Sequence, residues 1–216
     1  MKAVVIAHGD VDPRDRAELD GADLVIAADG GTFALDGWGV VPHIVIGDLD
    51  SLGPERARGL ERRGVQVIEF KADKDESDLE LALRHAVSSD ASEIVLLGIF
   101  GGTRFDHELA NTLLLADEAY RRRAIRAVFG AVTVRAVQGG ERLELCGRVG
   151  DLVTLLAVRG DAEGVRTAGL RYPLAGDTLR FGRSRGLSNV VQSAPASVAC
   201  DRGVVLVIET RVGGVS

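Results

Sequence analysis

Residues 28–51 read ADGGTFALDGWGVVPHIVIGDLDS, and they decide the fold because they close two short apolar runs with carboxylates and glycines. Residues 24–28 and 43–47 have the character of buried strands. The first empties into Asp29-Gly30-Gly31 and the second into Asp48-Leu49-Asp50-Ser51. In an open parallel sheet the carboxyl ends of the strands are where ligands bind. Asp48 and Asp50 are two apart, so extended backbone through them would point both side chains the same way. Two carboxylates held together repel unless a cation lies between them, and hard oxygen ligands suit magnesium carried with a phosphate ester. The plain alternative is a solvated acidic turn.

Outward from this stretch, strands and helices alternate. Residues 3–7 form a first strand, and 13–19 a helix with Pro13 in its first turn. A short helix over 32–38 directs its N-terminus at Asp29-Gly30-Gly31, an arrangement that favours an anion. A charged helix over 55–63 is ended by Gly64, and a strand follows over 65–70. Ser77 with Glu80 three residues on is a capping-box signature before a helix carrying Leu79, Leu83 and Ala86. Residues 93–100 make a near-continuous apolar strand of the kind buried on both faces. They run into a glycine turn and a long helix within GGTRFDHELANTLLLADEAY (101–120), and 124–129 supplies another strand. This is the pattern of an α/β doubly wound unit with a mainly parallel sheet and flanking helices. After Gly130 the runs 133–137, 142–145, 152–158, 165–172, 178–181 and 204–209 are short, strand-like and separated by Gly, Asp and Pro. They predict a small C-terminal antiparallel sandwich or barrel, with domains 1–130 and 131–216.

The chain has 216 residues and a formal net charge of -6. That length supports one large or two smaller domains, and the acidic balance argues against nucleic acid or an anionic membrane as partner. An anionic substrate stays open, because a bound divalent ion inverts the local field. No apolar stretch approaches a membrane span. The first strand turns polar at His8-Gly9-Asp10, too soon for a signal peptide, so a cytoplasmic protein is expected. Cys146 and Cys200 lie far apart without a CxxC partner and signal neither zinc nor a disulfide framework.

The acidic cluster is richer than one turn. Asp29 ends the second strand, Asp48 and Asp50 the third, Asp73 and Asp75 follow the fourth, and Asp78 begins the capped helix. A parallel sheet brings these ends to one edge. Asp75 and Asp78 have a simpler reading as helix N-terminal acids. A second constellation runs through Gly101, Gly102, Thr103, Arg104, Phe105, Asp106 and His107, with Asn111 one turn beyond His107. Two glycines after a buried strand let backbone approach a phosphate closely, and Arg104 can neutralise its charge. His107 is alternatively an interior residue or a cap. Neither GxxxxGK[ST] nor a strand-borne GxGxxG is present, so P-loop and dinucleotide fingerprints are lacking. DLDS is similar to the DxD nucleophile of haloacid-dehalogenase-type phosphatases, a reading that leaves Asp29-Gly30-Gly31 and the Arg104–His107 group without roles.

Taken together, ADGG (28–31), PHIVIGDLDS (42–51), DKDESD (73–78) and GGTRFDHELAN (101–111) resemble the thiamine pyrophosphokinase family in order and spacing. GVRTAGLRYPL (164–174) and SRGLSN (184–189) are similar to its C-terminal motifs, so the resemblance spans residues 24–190. It implies a catalytic α/β domain binding ATP and Mg2+, a β-sandwich for thiamine binding and dimerisation, and a homodimer with active sites between subunits. It implies magnesium on Asp48, Asp50 and Asp78 with Asp29 nearby. The nucleotide falls to Asp29, Gly30, Gly31, Gly101, Gly102 and Arg104, catalysis to Asp78, Arg104, Asp106 and His107, and thiamine to Ser188 and Asn189. The reaction implied moves a pyrophosphoryl group from ATP to the thiamine hydroxyl, giving thiamine diphosphate and AMP. Asp78 and Asp106 are both candidates for accepting the hydroxyl proton. Ser77 stands where the family usually has Thr, which keeps the hydroxyl. No aromatic residue follows Asn189, so a C-terminal stacking partner for the pyrimidine is lacking. A non-catalytic nucleotide or thiamine sensor and a Mg-dependent phosphatase are the alternatives.

Overall fold

A computed structural model describes residues 1–71 and 73–213. The chain divides into two compact units. Met1–Leu114 with Arg123–Gly130 forms the first, and Leu115–Arg122 with the chain from Ala131 onward forms the second.

Among the described residues the first unit holds six strands: β1 (Lys2–Ile6), β2 (Leu24–Ala28), β3 (Ile44–Gly47), β4 (Gln66–Glu69), β5 (Glu93–Leu97) and β6 (Ala124–Phe129). Their order is β6-β5-β1-β2-β3-β4, with every pair parallel. Four helices accompany them: α1 (Thr32–Gly37), α2 (Pro54–Glu61), α3 (Asp78–Ser88) and α4 (Phe105–Leu114). Val4, Ile6, Val25, Ala27, Val45, Val95 and Leu97 pack with Leu35 of α1 and with Ala57 and Leu60 of α2. The alternate residues Val5, Ile26, Ile46, Ile94 and Leu96 are equally buried, and α3 lies against β1, β2 and β3 through Leu79, Ala82, Leu83 and Ala86. Burial on both faces is why these strands read as unbroken apolar runs.

The chain steps from β1 outward to β4 and then returns to place β5 on the other side of β1. Ile6 is in register with both Ala27 and Leu97, and Ala28 with Ile46, so the carboxyl ends of β1, β2, β3 and β5 are level. The reversal between β1 and β5 is the point at which a doubly wound sheet opens a crevice.

Three local readings change. Pro13–Leu19 is a 3-10 helix, capped by Asp12 accepting from the Arg14 amide at 2.9 Å and by Asp15 accepting from the Asp12 amide at 2.8 Å. β5 ends at Leu97 because Gly98 adopts φ 63°. The long helix over 101–120 is two pieces: α4 stops at Leu114, and Asp117 caps a separate 3-10 turn, Glu118–Tyr120.

The second unit is an antiparallel sandwich. One sheet has the order β12 (Asn189–Val190), β9 (Leu152–Ala157), β14 (Val204–Thr210), β7 (Val132–Gln138). The other runs β11 (Ala175–Leu179), β10 (Ala162–Ala168), β13 (Ser197–Cys200), β8 (Glu141–Glu144). Val137, Val153, Leu155, Val205 and Val207 meet Ala162, Val165, Leu179, Val198 and Cys200 between the sheets. The buried carboxylate of Glu209 pairs with Arg135 and accepts from the amides of Cys146 and Gly147 at 2.7 and 2.9 Å. Both cysteines are free. β13 went unforeseen because a four-residue strand between Pro195 and Gly203 carries little pattern of its own.

Candidate active site

The carboxyl ends of β1, β2, β3 and β5 enclose a cavity of about 680 Å3 in the first unit. On its floor Asp29, Asp48 and Asp78 bring one carboxylate oxygen each to within 4.8 Å of one another. Each is set by a different element. Asp29 follows β2 in the left-handed region, at φ 38°, and is buried, with its oxygens accepting from the amides of Ser51 and Leu52, each at 3.3 Å. Asp48 follows β3 and accepts from the Asp50 amide at 3.2 Å. Asp78 opens α3, whose first turn is capped by Ser77 accepting from the Glu80 amide at 3.2 Å. Gly47 makes room between them, since a Cβ there would lie 2.9 Å from Asp29 Cβ and 3.0 Å from Asp78 Cγ.

Asp50 lines the same cavity but lies outside this group, in which Asp29 stands with Asp48 and Asp78. The cause is Leu49, which sits at φ 62°, so extended geometry does not persist from Asp48 to Asp50 and their side chains do not align. Asp73 and Asp75 are exposed. Burial pushes the Asp78 carboxyl above its usual range, against the opposing hydrogen bond that Lys74 Nζ donates to Oδ1 at 2.6 Å; Asp48 and Asp29 add to the rise by like-charge repulsion.

Across the crevice, Gly98, Gly101 and Gly102 all have positive φ, at 63°, 70° and 78°. Gly102 donates its amide to Asp10 Oδ2 at 3.1 Å, and a Cβ on Gly101 would fall 2.3 Å from that oxygen. Arg104, His107 and Asn111 line the cavity from the start of α4. Arg104 donates from Nε and Nη2 to the two carboxylate oxygens of Asp106 at 2.9 and 2.6 Å. That pairing holds the exposed Asp106 carboxyl down to about 2. Asp106 therefore serves Arg104, whereas His107 faces the space where a ligand would lie. Gly30 and Gly31 are buried beside Asp29, where a Cβ would meet the His8 ring at 2.2 Å and the Ile6 carbonyl oxygen at 2.0 Å respectively.

In the second unit Ser188 is exposed at φ 56°, with its amide donating to Thr154 Oγ1 at 3.1 Å. Asn189 is buried and its side chain makes three hydrogen bonds. Its Oδ1 accepts from the amides of Tyr172 and Val190 at 3.0 and 2.9 Å, and its Nδ2 donates to the Tyr172 carbonyl at 2.7 Å. Its side chain therefore positions the exposed Tyr172.

The family profile described as "Thiamin pyrophosphokinase, catalytic domain" matches residues 16–128, and the one described as "Thiamin pyrophosphokinase, vitamin B1 binding domain" matches residues 142–205. The chain belongs to the thiamine pyrophosphokinase family. It is 26% identical to a protein of Bacillus subtilis named thiamine pyrophosphokinase, over 97% of this chain and 99% of that one. Among solved structures, the fold matches thiamine pyrophosphokinase from Geobacillus thermodenitrificans with a TM-score of 0.82 at 26% identity, covering 99% of each chain. It also matches the Bacillus subtilis enzyme's structure with a TM-score of 0.86 at 24% identity, covering 98% of this chain and 99% of that one. Within the thiamine pyrophosphokinase family, then, the cavity belongs to the unit matched by the catalytic profile.

Several cavity residues had no assigned role in the sequence reading. His8 and Gly9 end β1 just as acid and glycine end β2 and β3, and the backbone of Gly9 approaches that of Gly98 so closely that a Cβ would fall 2.5 Å from its oxygen. Lys74 lay inside the quoted DKDESD run, and its spacing of four from Asp78 was the available signal.

Proposed function

We propose that the first-unit cavity binds ATP with Mg2+ and transfers its terminal pyrophosphoryl group to the hydroxyl of thiamine, releasing AMP and thiamine diphosphate. The observation that carries this reading is the convergence of three carboxylates from three elements opposite a glycine-rich turn and Arg104, in a chain of the thiamine pyrophosphokinase family. The group fits magnesium: the donors are hard oxygens close enough to share one ion, and Gly47 clears the space around them. Bound there with the nucleotide, the ion would supply charge neutralisation at the β- and γ-phosphates.

The chain's own residues do the rest. The positive-φ glycines allow backbone to approach the polyphosphate, and Arg104, pre-oriented by Asp106, offsets charge that develops during in-line attack at the β-phosphorus. His107 and Asn111 border the same space. For the hydroxyl proton, the cavity position of Asp78 supports it over Asp106, whose carboxylate is engaged by Arg104 and held to about 2. Among the described lining residues none is Phe, Tyr or Trp, so the thiamine rings need a wall from elsewhere. That supports placing the vitamin against the second unit, near Ser188 and the Asn189-held Tyr172, and a homodimer that joins the two functions. No helix among the described residues is long and apolar enough to cross a membrane, and a cytoplasmic setting belongs to the same proposal. The sensor and phosphatase readings gain no support from the relatives. AMP formation that requires both thiamine and Mg2+ is the expected result; AMP formed equally without thiamine would remove the reading.

A further inference from the structure

One arginine and one lysine line the cavity among the described residues, and they are held differently. Arg104 is 65% exposed and is paired with Asp106, which is not a member of the three-carboxylate group. Lys74 is 14% exposed and donates to Asp78, a member of that group, at 2.6 Å. Its ammonium thus stands where a metal ion would have to compete for the same oxygen. Lysine suits such a role because its charge is a compact point on a flexible stem, able to leave one oxygen for another within the same cavity. Three carboxylates this close repel one another without a cation.

We propose that Lys74 is an exchangeable counter-ion of this site: before metal binds it neutralises the Asp29, Asp48 and Asp78 group through Asp78 Oδ1, and metal entry releases it to the nucleotide polyphosphate. This rests on the magnesium and ATP reading above. It makes Lys74 a positioning residue whose effects on metal and on nucleotide have opposite signs. A lysine that served only to brace the turn before α3 would weaken both when removed.

The test is calorimetric titration of the nucleotide-free protein with MgCl2, and of the Mg2+-loaded protein with a non-hydrolysable ATP analogue, in wild type, Lys74→Met and Lys74→Arg. Lys74→Met removes the competitor and should bind Mg2+ about tenfold more tightly, a modest share of what a unit charge about 4 Å away exerts. The same variant should bind the analogue about tenfold more weakly, while Lys74→Arg stays near wild type in both titrations. Circular dichroism and thermal melting establish that each variant is folded. Unchanged or weaker Mg2+ binding by a folded Lys74→Met overturns the exchange, as does an unchanged affinity for the analogue. If none of the three proteins binds Mg2+, the reading of the carboxylates as a metal site falls first, and the exchange with it.

Discussion

The carboxylate of Asp29 accepts from the amide of Leu52 at 3.3 Å, tying the end of β2 to the turn that follows β3. Asp29 is thereby both a brace for that turn and a member of the three-carboxylate group. Asp29→Asn and Asp48→Asn should each lower kcat/KM by about 10²–10³, the scale seen when one electrostatic contributor to a transition state is removed. Asp50→Asn should lose less than about tenfold, because Asp50 stands outside the group. Initial rates at saturating Mg2+ check this, and a larger loss in Asp50→Asn than in Asp48→Asn would count against the three-carboxylate assignment.

Asp78 makes a prediction in which stability and activity part company. Burial raises its carboxyl pKa in the folded chain, so its contribution to stability is fully present below the unfolded value and is lost as pH rises through the folded one. Without metal, Asp78→Asn should therefore melt a few degrees higher than wild type near pH 7, roughly the shift that 1 kcal/mol produces in a domain of 150–250 residues. The advantage should shrink as pH falls through the raised folded-state pKa, where the wild-type carboxyl takes up its proton. Thermal melts in chelator across that range give the result, while turnover of the variant is expected to be lost.

Arg104 and Asp106 act as a pair with unequal shares. Arg104→Ala should cost about 10²-fold or more in kcat/KM for ATP, whereas Asp106→Asn, which frees the guanidinium but keeps its charge, should cost about tenfold. NMR titration should find the Asp106 carboxyl protonating only near pH 2, and in Arg104→Ala at a higher pH. If Asp106→Asn is the more damaging change, Asp106 rather than Arg104 meets the substrate.

In the second unit, Asn189→Ala strands the amide and carbonyl of Tyr172. Loss of stability of about 1 kcal/mol is expected, because the freed groups are only part-buried and water can reach them. Because the contact orients Tyr172, KM for thiamine should rise while KM for ATP stays within about twofold. Equal changes in both would mean that Asn189 serves the fold alone.

The parallel sheet was legible in the sequence because Val4, Val5, Ile6, Ile26 and Val45 are buried on both faces of it, and such strands cannot afford polar residues. The sheet edge was legible because Asp29 and Asp48 follow those strands at once. Less legible was anything set by a single dihedral angle. Leu49 at φ 62° breaks the extended backbone between Asp48 and Asp50, and nothing in the type of a leucine announces a left-handed conformation. β5 breaks at Gly98, at φ 63°, and α4 stops at Leu114 before Asp117 caps a new turn. His8 was missed for another reason, since it becomes part of the site only when strands far apart in sequence are set side by side, whereas Lys74 carried a local signal in its spacing of four from Asp78.

The central claim is the identity of the transferred group, and 31P NMR of a reaction containing ATP, Mg2+ and thiamine reads it directly. The account predicts AMP and thiamine diphosphate in equal amounts, the latter as two coupled resonances. Thiamine monophosphate with ADP, or inorganic phosphate with thiamine unchanged, would contradict it.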